Sequence, residues 1–109
     1  MVRTAVVSLL LGAVLSATQQ PATFTGVITD DMCAVPGHSQ MQMGPTDADC
    51  TRACVSAHGA QYVLYDGKNV YALSDQKAPD AFAGQQVRVV GTLDVKMKTI
   101  HVDSIAAAQ

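Results

Sequence analysis

"QYVLYDGKNVYALS", residues 61–74, places two short runs of aromatic and aliphatic residues on either side of Asp66-Gly67. Asp-Gly is a dipeptide that tight β-hairpin turns favour, because glycine readily adopts positive φ. Tyr, Val and Leu on both sides are typical of strands that bury one face. The stretch therefore predicts a β-hairpin, and the domain around it is expected to be mostly β.

Three further strands are predicted from alternating apolar and polar residues, at 23–31, 86–93 and 98–105. Five short strands in a flat sheet would leave two exposed edges, whereas closing the sheet on itself removes them. We therefore predict a five-stranded OB-like β-barrel domain over residues 22–105, with one helix after strand 1 and a frayed tail at 106–109. A small open sheet packed by the helix is the alternative.

The helix is predicted from "TDADCTRACVSAHG", residues 46–59. Thr46 is suited to cap its first turn, acidic residues occupy that turn, and Gly59 ends it. A helix over about 46–58 would place Cys50 and Cys54 four residues apart on one face, so that both sulfurs point the same way.

The first 17 residues, "MVRTAVVSLLLGAVLSA", have a basic start at Arg3, a short apolar run and small residues at the end. This is the layout of a secretory signal peptide, and the run is shorter than the roughly 20 residues that a membrane span needs. We expect cleavage near Ser16 to Gln19, no stable membrane insertion afterwards, and an exported protein that is periplasmic or secreted.

The chain after residue 17 carries nine Asp, no Glu, two Arg and four Lys, so its net charge is near −3. A partner with a phosphate backbone would require a basic face. Tryptophan is absent and aromatic residues are few, which leaves little surface for stacking bases. These features argue against nucleic acid and leave a protein or a small ligand as the partner.

All three cysteines lie within residues 30–54, "DDMCAVPGHSQMQMGPTDADCTRAC". Cys33, His38, Cys50 and Cys54 give the spacing C-x4-H-x11-C-x3-C. Three thiolates and one imidazole are a usual ligand set for structural zinc. The sequence therefore predicts a Cys3His metal site in a non-catalytic binding module.

Copper is the other metal that the same stretch predicts. Met41 and Met43 place two thioethers close to His38, and thioether, thiolate and imidazole ligands suit copper(I). Both methionines could equally fill gaps in a small core. Asp31 or Asp49 is expected to accept a hydrogen bond that orients the imidazole.

Two other interpretations use the same cysteines. In an oxidising compartment Cys33 would pair with Cys50 or Cys54, giving a disulfide-stapled interaction domain whose sheet face meets a partner. That face would carry Tyr62, Tyr65 and Tyr71. A thiol-dependent enzyme, with Cys33 activated by His38, ranks last, because no redox C-x-x-C motif and no evident pocket accompany the pair.

The order T-G-x-I-x-D-x-x-C, His, C-x3-C, Y-x-L, Y-x-L and G-x-x-V-x-V-x-G runs through "TGVITDDMC", "DCTRAC", "YVLYDGKNVYAL" and "GQQVRVVG". It resembles a group of small exported bacterial OB-like domains that are largely uncharacterised. The likeness covers nearly all of the chain after the predicted signal peptide, although "AVPG" between Cys33 and His38 replaces a shorter, glycine-containing spacer. The resemblance implies a common fold and export, and it implies no particular reaction.

Overall fold

The computed structural model describes Gly12, residues 20–40 and residues 42–108. The predicted signal peptide, residues 1–17, lies outside these residues except for Gly12. Within the described part of the chain, no helix is both long enough and apolar enough to cross a membrane.

The described residues form five strands and one α-helix, together with two short 3-10 helices at His38–Gln40 and Ala78–Phe82. In chain order the main elements are β1 (Ala22–Asp30), α1 (Asp47–His58), β2 (Tyr62–Tyr65), β3 (Val70–Leu73), β4 (Gln86–Asp94) and β5 (Thr99–Ala107). The prediction of a small, mostly β domain with five strands and one helix after strand 1 is therefore confirmed.

The strands form a closed ring in the order β1-β2-β3-β5-β4, with β4 pairing back to β1. All neighbouring pairs are antiparallel except β3 and β5, which are parallel. Because β4 pairs with β1, neither strand is left at an edge with a row of unpaired backbone N–H and C=O groups. The alternative of an open sheet is therefore wrong.

The hairpin between β2 and β3 has residues 66–69 as its connection. Tyr65 pairs with Val70, and the amide of Asp66 donates to the carbonyl of Asn69 at 3.2 Å. Gly67 has a φ of 95°, a backbone conformation that would be strained for a residue with a side chain. The local signal that predicted the hairpin therefore acts through the positive φ of its glycine.

Strand β5 extends further than the alternation of its sequence indicates. Ala106 pairs with Arg88, Ala107 pairs with Val87, and the amide of Ala108 donates to the carbonyl of Gln86 at 2.9 Å, so residues 106–108 of the predicted frayed tail are paired with β4. Gln109 lies outside the described residues. Alanine is a weak strand former, and here the pairing with β4 overrides its propensity. The end of β5 is therefore stabilised by backbone pairing with β4 rather than by the strand propensity of its side chains.

The core of the ring is aliphatic. Ile28, Leu64, Val87, Val89 and Ile100 are fully buried and lie in one cluster. On β4, Val87 and Val89 occupy alternate positions, as expected for a strand with one face inside. A second cluster contains the cysteines and lies between the end of β1 and α1.

Helix α1 begins and ends as predicted. The hydroxyl of Thr46 accepts from the amide of Asp49 at 3.1 Å, and Gly59 closes the helix in the left-handed conformation with a φ of 68°. Cys50 and Cys54 are buried, but the third buried residue is Thr51. The predicted face with both cysteines is therefore the buried one, and it packs against β1.

Candidate metal centre

Asp30, the last residue of β1, organises the start of the site. Its side chain is fully buried, and Oδ2 accepts the backbone amides of Met32 at 3.2 Å and Cys33 at 3.1 Å. An aspartate that accepts amides two and three residues ahead folds the chain into a tight turn. This turn directs Cys33 inward, where it is 3% exposed.

Asp31, which the sequence analysis expected to orient His38, is exposed instead. Its Oδ1 accepts the amide of Gln61 at 3.2 Å. Asp49, the other candidate, accepts the hydroxyl of Thr46 at 2.8 Å. The carboxylate beside the cysteines is therefore that of Asp30. Strand periodicity could have predicted that Asp30 is buried, since it lies two positions after Ile28 and therefore on the same face of β1.

Cys50 and Cys54 reach the same cluster from α1. Both are buried, and Ala60, Met43 and Val55 pack around them. The sulfur of Cys50 accepts the amide of Met43 at 3.4 Å. No disulfide joins the three cysteines, all of which lie in the described part of the chain.

The loop "AVPG", residues 34–37, turns the chain back so that His38 lies near Cys33. The amide of Gly37 donates to the carbonyl of Cys33 at 2.9 Å, and the φ of Gly37 is 78°, which favours glycine. The Nε2 atom of His38 lies 3.4 Å from the hydroxyl of Thr29. The Nδ1 atom is buried and has no hydrogen-bond partner among the described residues.

The donor atoms fall into two groups, and Cys33 belongs to both. In one group the donors of Cys33, His38 and Cys50 lie within 4.8 Å of one another, and in the other Asp30, Cys33 and Cys54 do so. The structure therefore brings all four predicted residues into one region. It adds Asp30, which the sequence analysis missed, and it places Cys54 beside Asp30 in the second group.

Of the two methionines predicted as auxiliary metal ligands, the structure describes Met43. Met41 lies outside the described residues. Met43 packs against the cysteine cluster, and its sulfur lies 3.3 Å from Nε2 of His58. The thioether predicted as a copper ligand thus also contacts the imidazole at the end of α1.

The environment of the thiols favours their neutral form. Burial, then the nearby carboxylate of Asp30 and then the other two cysteines together raise the pKa of Cys33 to about 12. Burial and then Asp30 also raise the pKa of Cys54. A metal ion would reverse this preference, because thiolates are its ligands and its binding releases their protons.

These pKa shifts predict a pH dependence for the metal-free protein. The pKa of Cys33 rises from 9.0, and burial and the bond to Asp80 raise that of Tyr62 from 10.0, each to about 12. Above about pH 9 the unfolded chain therefore loses these protons before the folded chain does. The free energy of unfolding should be fully retained below pH 9 and fall as the pH rises towards 12.

Urea denaturation with chelator and reductant, at neutral pH and at several alkaline values, measures this dependence. A Cys33→Ser variant is the control, since it should show a shallower alkaline decline. Equal slopes for the two proteins would contradict the shift at Cys33.

A family model described as a protein of unknown function (DUF5818) matches residues 54–108, just over half of the chain. The chain therefore belongs to this family, which fits the expectation of a small uncharacterised domain. No curated protein and no solved structure matches the chain. The matched residues begin at Cys54 and include β2 to β5, so β1, Cys33, His38 and Cys50 lie outside the match.

Proposed function

We propose that this member of the DUF5818 family is a small, exported, non-catalytic binding module that holds one zinc or copper(I) ion. Cys33, His38, Cys50 and Cys54 are its ligands. The observation that carries the proposal is the group formed by Cys33, His38 and Cys50, whose donors lie within 4.8 Å of one another. Two sulfurs and one imidazole nitrogen are a donor set that suits either metal.

The distances in this group are close to those of a loaded site. Two sulfurs on a tetrahedral zinc ion lie about 3.8 Å apart, given zinc–sulfur bonds of about 2.3 Å. Donors already within 4.8 Å would need only small side-chain movements to reach that separation. The buried Nδ1 of His38, which has no partner among the described residues, is the imidazole atom available to the ion.

Asp30 provides a second argument for a cation. Its side chain is fully buried, and its Oδ1 atom has no hydrogen-bond partner in the described part of the chain. A buried carboxylate is costly unless a charge or hydrogen bonds compensate it. A metal ion held by Cys33 and Cys54 would supply that compensation, because a carboxylate oxygen of Asp30 lies within 4.8 Å of both sulfurs.

The position of the site in the fold is consistent with a binding role. We infer that the ring of strands is an OB-like barrel, because it is five-stranded and closes in the order β1-β2-β3-β5-β4. In OB folds the connection between the first two strands is one of the ligand-binding loops. Here that connection carries His38, Cys50 and Cys54, with Cys33 at its start.

Intact mass spectrometry of the exported protein tests the proposal. Under native conditions we expect one zinc or copper ion per chain, lost on denaturation in acid because protons displace the ion from its ligands. Three thiols should then become available for alkylation, and the mass should indicate cleavage near Ser16 to Gln19. An apo mass with all three thiols reduced would contradict the metal site, and an uncleaved chain would contradict export.

The disulfide-stapled domain is the second candidate, because the sulfurs of Cys33 and Cys54 lie within 4.8 Å of one another. In that case the same experiment would show a mass two hydrogens lower and one alkylated thiol. His38→Ala would leave the melting temperature unchanged, and reductant rather than chelator would lower it. The proposed tyrosine face is less suited to a partner than expected, since Tyr62 is only 3% exposed.

The thiol-dependent enzyme is the least supported candidate. A nucleophilic cysteine needs a lowered pKa so that the thiolate is present at neutral pH. Burial and Asp30 raise the pKa of Cys33 to about 12.

A further inference from the structure

A pocket of about 200 Å³ adjoins the site on one side. Cys33 and His38 form part of its wall, whereas Cys50 and Cys54 do not. Val27 and Tyr65, which are paired between β1 and β2, supply apolar surface beside them. The cluster is therefore closed towards α1 and accessible from the side of Cys33 and His38.

The same pocket has an acidic residue in its lining. Asp47, the first residue of α1, is exposed and lines the pocket with Cys33 and His38. A carboxylate in a cleft with apolar walls raises the local concentration of cations and speeds their entry. Closed zinc sites that only hold a fold together do not require such access, whereas sites that exchange a ligand keep one side open.

We propose that the metal ion enters and leaves through this pocket while the domain stays folded, so that the ion is the cargo of the module. The inference rests on the proposed function and adds the route and the class of acceptor. The acceptor is a soft donor such as a small-molecule or protein thiolate. Its sulfur donates an electron pair to the ion as the bond from Cys33 breaks, and further donors of the acceptor or water then replace Cys50, Cys54 and His38 in turn. Each released thiolate takes a proton from water, and the buffer neutralises the hydroxide that forms. No electron is transferred.

The test follows zinc exchange with the chromogenic chelator 4-(2-pyridylazo)resorcinol as the acceptor. Wild type should release zinc faster than it unfolds, at a rate that rises with chelator concentration. Val27→Phe fills the pocket and should slow release about tenfold by gating access, with equilibrium affinity nearly unchanged. Val90→Phe is the matched control, because Val90 is a half-buried residue of β4 that does not line the pocket.

A second pair of variants tests the acidic entrance without altering packing. Asp47→Asn should slow zinc loading by about tenfold at low salt, and added salt should remove the difference. Asp103→Asn removes the same charge from an exposed position on β5 outside the pocket and should load like wild type. This pair keeps the proposal testable if Val27→Phe does not fold.

The outcomes separate the two proposals. If wild type binds neither zinc nor copper(I), the proposed function and this inference both fail. If it binds zinc but releases it only at the rate of global unfolding, the exchange route alone is wrong. Equal rates within both variant pairs would also overturn the route while leaving the metal site intact.

Discussion

A Cys33→Ala variant is expected to bind zinc about a hundredfold to a thousandfold more weakly than wild type. Structural zinc sites bind with about 10–16 kcal/mol, shared among about four ligands, and 1.4 kcal/mol is a tenfold change in affinity. Cys33 is the donor common to both groups, so its loss breaks each of them. Removing His38 or Cys54 breaks one group and should have a smaller effect.

Competition titration against a zinc chelator measures these affinities directly. His101→Ala is the control, since it removes an exposed imidazole of β5 that could bind zinc non-specifically. Stability should follow affinity: at zinc concentrations of about a thousand times Kd, wild type gains about 4 kcal/mol over its metal-free form. Affinity for Cys33→Ala within a factor of ten of wild type would refute the shared-ligand role.

Asp30→Ala should lower the free energy of unfolding of the metal-free protein by about 2–4 kcal/mol. The substitution removes the acceptor of the half-buried amide of Met32 and leaves the amide of Cys33 only the carbonyl of residue 30 at 3.3 Å. Each of the two lost bonds to a buried charged group is worth about 1.5–3 kcal/mol. The variant no longer buries the negative charge of Asp30, which is favourable and offsets part of this loss. Urea denaturation in the presence of chelator excludes any contribution from metal.

The neighbouring residue provides a matched control. Asp31 carries the same side chain but is exposed, and it accepts the amide of Gln61. Asp31→Ala should therefore cost less than about 1 kcal/mol. Asp30→Asn, which retains an acceptor oxygen, should lie between the two alanine variants. Equal losses for Asp30→Ala and Asp31→Ala would show that the turn after β1 does not depend on the buried carboxylate.

The elements of the fold were predictable wherever their signals are local. Asp66-Gly67 marks a turn through the positive φ of Gly67, and Thr46 and Gly59 mark the ends of α1 through backbone groups within a few residues. Such interactions depend on residues adjacent in sequence. The pairing of Ala106 and Ala107 was missed, because it depends on the register between β5 and β4.

For the site, the sequence by itself determined which side chains could bind a metal and that Cys50 and Cys54 would point the same way, since helical periodicity places them four residues apart. Only the tertiary structure decided that Cys33 is common to both donor groups and that the carboxylate of Asp30 lies within 4.8 Å of the sulfurs of Cys33 and Cys54. The reason is physical: closing the ring of strands fixes the direction in which β1 ends relative to α1. Distances between side chains on separate elements depend on that packing, which no local pattern encodes.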